Sequence, residues 1–308
     1  MRYREGGDLD TSAIRDRRGR GGFGGGRGVA VGGGGLGLVG ILVLVLFQVL
    51  GGGGSGAGSG GAGLGALAGL AEGETADNSA LERSCDDSGD ANDSVECAVV
   101  ANVESIQDFW TEELGPRYVP TDTVFFAGSV QTQCGGATSG SGPFYCPADS
   151  LVYIDLSFFD TLRSQFGAVG GAFPNAYVIA HEYGHHVQNL LGTNRQVTPG
   201  ESGPTSGTVR LELQADCYAG AWANHATTVP DESGAPLIAE ITQDDIDAAL
   251  DTAGRIGDDF IQENLGGGTV DQEAFTHGSS EQRQKWFRTG YETGDPSRCD
   301  TFATDDLG

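Results

Sequence analysis

The sequence predicts an α+β domain in which helices predominate, preceded by a single N-terminal transmembrane helix. Three observations predict this arrangement. Beyond residue 80, several segments repeat apolar residues at helical spacing, whereas only two short apolar runs suit strands. Residues 29–50 contain no charged side chain, and about twenty such residues span a bilayer. The first 75 residues are rich in glycine and lack the large side chains of a packed core, so we expect one folded domain after them.

The first 80 residues divide into three predicted parts. Residues 1–28 are a basic tail with seven arginines against four acids. Residues 29–50 form the transmembrane helix, and residues 51–80 form a flexible Gly-rich linker. Because basic flanks stay in the cytoplasm, we expect a single-pass protein anchored in the lipid bilayer of the cell membrane. Its N-terminus would be cytoplasmic and its domain, residues 81–308, extracytoplasmic. A cleaved signal peptide, cut near residues 66–68, is the alternative.

The charge balance excludes one class of partner. The chain carries a net charge of −26, and the part after the arginine-rich tail has ten basic against 39 acidic residues. Nucleic-acid binding depends on clustered lysine and arginine, so we expect no nucleic-acid partner. A solvated acidic surface explains the excess of acids. Asp86, Ser88 and Asp90 alternate like calcium ligands, but the glycine that an EF-hand loop needs is missing.

The elements of the domain follow from apolar spacing and from the positions of proline and glycine. Pro174 stands where a helix can begin and Gly192 where one commonly ends, which predicts a core helix of nearly five turns. Residues 209–225 form a second helix, rich in alanine and leucine. We predict further helices over residues 94–114, 158–166, 244–261 and 279–291, and strands over residues 123–133 and 151–156.

All six cysteines lie in the predicted outer domain, and their even number favours disulfides. Six cysteines allow fifteen pairings, so the sequence leaves the connectivity open. Short loops make the first two of three pairs plausible, and the third would tie the C-terminus to the helix at 209–225: Cys85 with Cys97, Cys134 with Cys146, and Cys217 with Cys299. Free thiols or a second metal site are the alternatives, although the chain has no C-x-x-C pair.

The segment His181-Glu182-Tyr183-Gly184-His185 carries the clearest chemical signal. Histidines four residues apart on a helix project from one face, so both imidazoles can reach one Zn²⁺ ion. A glutamate directly after the first histidine can accept a proton from water at that ion, as in H-E-x-x-H metallopeptidases. Gly184 lowers helix propensity, which indicates close approach by another backbone or by substrate.

A catalytic zinc site usually has three protein ligands, so two histidines leave the site incomplete. The metzincin pattern is excluded, because Gln188 and Leu191 stand where it requires glycine and histidine. Glu212 is the best candidate for the third ligand, since an unpaired carboxylate among apolar helical residues would be costly. Asp216 follows one turn later and could accept the free N–H of a zinc-bound histidine. An exposed polar stripe is the alternative for Glu212 and Asp216.

Four motifs resemble the bacterial family of neutral zinc metallopeptidases. They are residues 142–147, 181–188, 212–220 and 276–283, and the similarity runs from the arginine-rich N-terminus almost to the C-terminus. The resemblance implies a zincin-like domain with a gluzincin-like site. In that site His181, His185 and Glu212 would bind one Zn²⁺ per chain, Glu182 would be the general base, and Asp216 would support a histidine.

The proposed chemistry is zinc-assisted hydrolysis of a peptide or protein substrate, in which Glu182 removes the proton of the attacking water. The developing oxyanion needs a further hydrogen-bond donor. His277 is the first choice for this donor. Weaker candidates are Tyr183, Tyr218 and Arg283, and we expect structural or surface roles for His186 and His225.

Three other functions compete with a peptidase. A zinc hydrolase could cleave another amide of the cell envelope, because substrate choice depends on the shape of the cleft. A surface module could bind metal only for folding, although such sites usually have four ligands rich in cysteine. An adhesive or scaffolding protein without metal would leave the H-E-x-x-H helix unexplained.

Overall fold

The computed structural model describes residues 1–18 and 76–308. The helices in these residues are α1 (Ser79–Ser84), α2 (Val95–Leu114), α3 (Phe158–Ser164), α4 (Ala172–Leu191), α5 (Gly207–His225), α6 (Gln243–Arg255), α7 (Asp258–Asn264) and α8 (Ser280–Thr293). The strands are short: β1 (Arg2–Tyr3), β2 (Ile14–Asp16), β3 (Thr123–Phe125), β4 (Ser129–Thr132), β5 (Gly135–Thr138), β6 (Phe144–Cys146), β7 (Leu151–Ile154) and β8 (Ile238–Glu240). The α+β class with few, short strands is as predicted.

The largest sheet has the strand order β2-β3-β7-β6. β2, β3 and β7 run parallel, whereas β6 pairs antiparallel with β7 and forms one edge. β4 and β5 form a separate hairpin, and β1 pairs antiparallel with β8. Helix α4 contacts β6 and β7 on one side and α2 and α5 on others, so it runs through the centre of the domain.

Glycines allow α5 and α8 to pack with their backbones in contact. A Cβ at Gly220 would lie 2.1 Å from the Phe287 carbonyl oxygen, and a Cβ at Gly290 would lie 1.9 Å from that of Cys217. No side chain fits in either place, because real Cβ atoms do not approach this closely. The close packing matters for the site, since α8 carries Arg283 and α5 carries Glu212 and Asp216.

Two predicted elements are interrupted in the structure. The predicted strand 123–133 ends at Phe125, and a turn at Gly128 with a φ of 77° leads into the hairpin. The predicted helix 244–261 is two helices that meet at Gly257, whose backbone is extended with φ −72° and ψ 146°. A Cβ at Gly257 would lie 2.5 Å from the Ser280 nitrogen, so the break lets the start of α8 approach.

The N-terminal segment, residues 1–18, is part of the domain rather than a separate basic tail. β1 pairs with β8, and β2 adds a parallel strand beside β3. The Tyr3 side chain is 1% exposed, and its hydroxyl lies 3.0 Å from Asn102 Oδ1. Arg4 and Arg18, which the charge pattern assigned to the cytoplasm, form ion pairs with Asp231 and with Asp16 and Glu96.

The predicted single-pass topology is therefore wrong. A single membrane crossing would separate residues 1–28 from residues 81–308, whereas residues 1–18 share a sheet with that domain. Among residues 1–18 and 76–308, no helix has the length and apolar character needed to cross a bilayer. The helix predicted at 29–50, and residues 51–75 of the predicted linker, lie outside the described residues. Anchoring in a lipid bilayer has no support in the described part of the chain.

Three disulfides join the six cysteines. They connect the pairs that loop length and position favoured: Cys85–Cys97, Cys134–Cys146 and Cys217–Cys299. The third spans 82 residues and ties the C-terminal segment to α5. Such bonds form and persist in oxidising compartments.

Candidate metal centre

Helices α4 and α5 position the candidate metal ligands. α4 is buried along most of its length and ends at Gly192, whose φ of 77° suits a glycine cap. α5 begins after Ser206, whose hydroxyl accepts a hydrogen bond from the Val209 N–H. A Cβ at Gly184 would lie 3.0 Å from the Ala215 Cα. The missing side chain at Gly184 thus admits the backbone of α5, which was one of the two explanations considered from sequence.

His181 and His185 of α4 and Glu212 of α5 converge on one point. One ligand atom from each residue can be chosen so that all three lie within 4.8 Å of one another. His181 Nε2 is 3.2 Å from Glu212 Oε2, and His185 Nε2 is 3.4 Å from Glu212 Oε1. The two imidazole rings are almost perpendicular, at 88°. This is the only such group of three among the described residues, and it contains the ligands expected from sequence.

The arrangement fits a zinc ion. Donor atoms around tetrahedral Zn²⁺, with bonds of about 2.0–2.1 Å, lie roughly 3.3 Å apart. The two histidine nitrogens lie 3.2 and 3.4 Å from different oxygens of Glu212, close to this spacing, and one donor atom from each residue can be chosen so that all three lie within 4.8 Å. Although burial opposes it, Asp216 and Glu212 raise the pKa of His181 to about 10, so the site favours a positive charge here. A bound zinc ion would replace that proton.

Asp216 supports His181 through a buried ionic network. Its Oδ1 lies 2.8 Å from His181 Nδ1 and accepts a hydrogen bond of 2.6 Å from the Tyr177 hydroxyl. Arg283 donates to both carboxylate oxygens at 2.9 Å. Burial opposes ionisation, but Arg283 and His181 together lower the pKa of Asp216 to about 2. Asp216 therefore stays ionised. Because it engages His181 through Nδ1, the other ring nitrogen, Nε2, faces Glu212.

Glu182 lies in the wall of a cleft that also includes the three candidate ligands. Burial, reinforced by the charge of Glu212, raises the pKa of Glu182 to about 7, while His181 and the backbone N–H of Tyr145 oppose that shift. Tyr145 belongs to the edge strand β6, which lines the same cleft. Nothing in the sequence indicated that β6 would contact Glu182.

His277 lies in the cleft wall, in the loop before α8. Its Nδ1 is 3.3 Å from Asp258 Oδ1. Asp258 Oδ2 accepts the backbone N–H groups of Thr276, His277 and Gly278 at 2.7, 2.7 and 3.0 Å. Burial lowers the pKa of His277, but Asp258 outweighs this effect and raises that pKa above its ordinary value. Sequence reasoning missed Asp258, because it fell within a predicted continuous helix.

The remaining donor candidates are placed elsewhere or are already engaged. The Tyr183 hydroxyl lies 3.0 Å from Thr123 Oγ1, beneath the sheet, and Tyr218 packs against Trp110 in the core. Arg283 lines the cleft, but its guanidinium is bound to Asp216. The two other histidines have structural partners, as expected: His186 contacts the Tyr145 hydroxyl and the Val119 carbonyl, and His225 contacts the Gly294 carbonyl.

Gln188 is a further residue of the site whose role the sequence did not reveal. Its Oε1 lies 3.0 Å from His185 Nδ1, and its side chain is buried. Gln188 ends the motif 181–188 and excludes the metzincin pattern, but neither observation assigns it a role at His185. Its position three residues after His185, on the same helix face, is the signal that could have identified it.

Comparison with known proteins agrees with the site. The chain is 50% identical over 225 residues to the uncharacterized protein Rv2575 of Mycobacterium tuberculosis, covering 73% of this chain and 76% of that protein. It is 39% identical over 241 residues to the uncharacterized protein YpfJ of Escherichia coli K12, covering 77% and 80% respectively. No solved structure matches. Residues 1–302 match the family described as "Putative neutral zinc metallopeptidase". The chain therefore belongs to this family of neutral zinc metallopeptidases.

Proposed function

We propose that this protein is a zinc-dependent peptidase that hydrolyses peptide bonds with Glu182 as general base. The observation that supports this most strongly is the convergence of the His181, His185 and Glu212 donor atoms, all within 4.8 Å of one another, in the cleft that Glu182 also lines. Only three ligands converge there among the described residues. Three ligands are typical of catalytic zinc, whereas structural zinc has four.

His181, His185 and Glu212 would hold the metal through His181 Nε2, His185 Nε2 and the carboxylate. When bound, zinc would polarise a substrate carbonyl and lower the pKa of water toward neutrality. Glu182 would accept the proton of the attacking water and then deliver it to the leaving amine. Its burial in the cleft wall and its hydrogen bond from the Tyr145 N–H hold the carboxylate in place.

His277 is the proposed donor to the oxyanion. Its Nδ1 faces Asp258, so Nε2 remains for a hydrogen bond to the oxygen on which charge develops. Asp258 also fixes the loop backbone through its three hydrogen bonds. The imidazole is thus held in place before substrate arrives, which is the condition for effective electrostatic stabilisation.

The cleft walls favour a peptide over an amide attached to sugars. Away from the candidate ligands they are mostly apolar, with contributions from Pro143, Phe158, Val178, Ile256 and Ile261. Such walls bury apolar side chains, whereas the hydroxyl groups of a sugar would lose water without gaining hydrogen bonds. Peptide substrates with apolar residues near the cleaved bond fit these walls.

The test compares wild type, Glu182→Gln and Glu281→Gln for zinc content and for hydrolysis of unfolded protein and of peptidoglycan. We expect about one zinc in each protein and a loss of peptide hydrolysis of at least 100-fold in Glu182→Gln alone, because Glu182 is not a ligand. Glu281 is an exposed glutamate on α8 and serves as the matched control. Zinc-free wild type, or full activity in Glu182→Gln, would refute the proposal; cleavage of peptidoglycan alone would favour the envelope-amide alternative.

A further inference from the structure

A series of hydrogen bonds through two buried glutamine side chains connects His185 to the C-terminal segment. His185 Nδ1 lies 3.0 Å from Gln188 Oε1. Gln188 Nε2 donates to the Leu211 carbonyl at 2.7 Å and to Gln214 Oε1 at 3.2 Å. Gln214 Nε2 donates to the Cys299 carbonyl at 2.9 Å. Both glutamines are at most 4% exposed, so these bonds form away from solvent.

Two backbone carbonyls determine the orientation of the amide groups in this hydrogen-bond series. A carbonyl oxygen can only accept a hydrogen bond, so the NH₂ group of Gln214 must face Cys299 and that of Gln188 must face Leu211. The amide oxygens then face the other way: Gln214 Oε1 faces Gln188, and Gln188 Oε1 faces His185. An amide oxygen is an acceptor without a proton, so the group opposite it must donate.

We infer that Gln188 and Gln214 are positioning residues that hold the proton of His185 on Nδ1 and keep its Nε2 free and aimed at the metal position. A neutral histidine has only one N–H, so a donor at Nδ1 leaves Nε2 with the lone pair that a metal requires. Nε2 is the nitrogen that lies 3.4 Å from Glu212 Oε1. The inference rests on the proposed zinc site but does not depend on peptide hydrolysis.

The end of this hydrogen-bond series at Cys299 is anchored by a disulfide. Cys299, whose carbonyl accepts from Gln214, is bonded to Cys217, which follows Gln214 by three residues on α5. The C-terminal segment is also held by Arg210, which donates to the Thr304 carbonyl at 2.7 Å. The Cys217–Cys299 bond and Arg210 therefore both anchor the C-terminal segment. Removal of the disulfide should weaken the hydrogen-bond series less than loss of either glutamine.

The test measures the zinc affinity of the full-length protein by competition with a chelator. It compares wild type with Gln188→Met, Gln214→Met and Gln284→Met. Methionine has a similar volume but offers no comparable hydrogen bond. We expect zinc affinity to fall 10- to 100-fold in Gln188→Met and several-fold in Gln214→Met, because partners of ligating histidines have effects of this size. Gln284 donates to the Leu250 carbonyl and takes no part in this hydrogen-bond series, so Gln284→Met should bind zinc like wild type.

A second readout reports the proton itself. Nitrogen NMR of the zinc-free protein should show His185 with its proton on Nδ1 in wild type and a mixture of tautomers in Gln188→Met, which lost packing alone would not produce. Replacing Cys217 and Cys299 by serine should weaken zinc binding a few-fold, and replacing Cys85 and Cys97 should not. Wild-type zinc affinity and tautomer in both Gln188→Met and Gln214→Met would overturn the inference. Failure of wild type to bind zinc would instead refute the proposed site.

Discussion

His181 and His185 lie one turn apart on α4 and face the same carboxylate, yet they are supported in chemically different ways, by Asp216 of α5 and by Gln188 of α4. His181 contacts Asp216, which is ion-paired with Arg283 and hydrogen-bonded to Tyr177. His185 contacts the neutral amide of Gln188. One candidate metal ligand is thus held by a buried ionic network and the other by a series of uncharged hydrogen-bonding groups.

The difference teaches how each support should respond when it is broken. Removing one partner of a buried ion pair leaves an uncompensated charge and is strongly destabilising. Removing a neutral amide leaves only unsatisfied hydrogen-bonding groups, at a cost of about 1–3 kcal/mol. The ionic side should therefore couple metal binding to overall stability, whereas the amide side should affect mainly the affinity for metal.

The largest effect is expected for Asp216→Asn, which leaves the Arg283 guanidinium buried without a counter-charge. We expect a loss of about 3–5 kcal/mol in the free energy of unfolding, measured by denaturant titration of the zinc-free protein. Zinc affinity should also fall, because the partner of His181 becomes neutral.

The double variant Asp216→Asn with Arg283→Met is the control for this prediction. It removes the unpaired charge, so stability should recover in part while zinc affinity stays low. If the single and double variants are equally unstable, the ion pair is not the reason for the loss.

Acidification should distinguish the two supports with a smaller effect. The folded-state pKa of Asp216, about 2, lies below the ordinary value of about 3.9, so its contribution is present above pH 4 and is lost as pH falls toward 2. That contribution is about 2 kcal/mol, and roughly half is lost by pH 3.

Urea titrations of the zinc-free protein between pH 7 and pH 3 would check this. The stability difference between wild type and Asp216→Asn should shrink on acidification, whereas that between wild type and Gln188→Met should not shrink, because the hydrogen bond from Gln188 opposes the lowering of the His185 pKa by burial. A constant difference for both variants would show that Asp216 is not held ionised by the network.

The smallest effect is expected for Gly184→Ala, which should disturb both supports together. The new Cβ would lie 3.0 Å from the Cα of Ala215, the residue between Gln214 and Asp216. Crowding of about 1–3 kcal/mol would be offset by about 1 kcal/mol of gained helix propensity, leaving a net loss near 1 kcal/mol.

The measurement for Gly184→Ala is the thermal midpoint of the zinc-free protein together with its zinc affinity. Gly192→Ala is an informative comparison, because Gly192 lies in the left-handed region at the end of α4, away from α5. It should lower stability without changing zinc affinity. Unchanged zinc affinity in Gly184→Ala would mean that the two helices can separate there at no cost to the site.

The convergence of the candidate ligands was predictable from sequence because helical geometry fixes the spacing of the two histidines locally. His181 and His185 share a face by their separation of four residues, and Glu212 is a charge in an apolar helix that needs a partner. The supports were less visible, since Asp258 and Gln214 act through contacts between elements distant in sequence.

The N-terminal segment shows the opposite case. Its arginines predicted a cytoplasmic tail, but their acidic partners lie up to 238 residues away, as in the pair Arg2–Glu240, and could not be recognised from composition. β1, β2 and β8 are two or three residues long, too short for an alternating pattern to emerge. Short strands paired over long distances leave little local signal.

The pairing of β1 with β8 also has a consequence for biosynthesis. Arg2 lies opposite Glu240, so β1 has no strand partner until synthesis of the chain has passed β8. Contacts between segments so far apart form slowly, because a long loop must close before they contribute stability. β1 is therefore among the last strands to pair, and an incompletely synthesised chain presents it unpaired to chaperones and proteases.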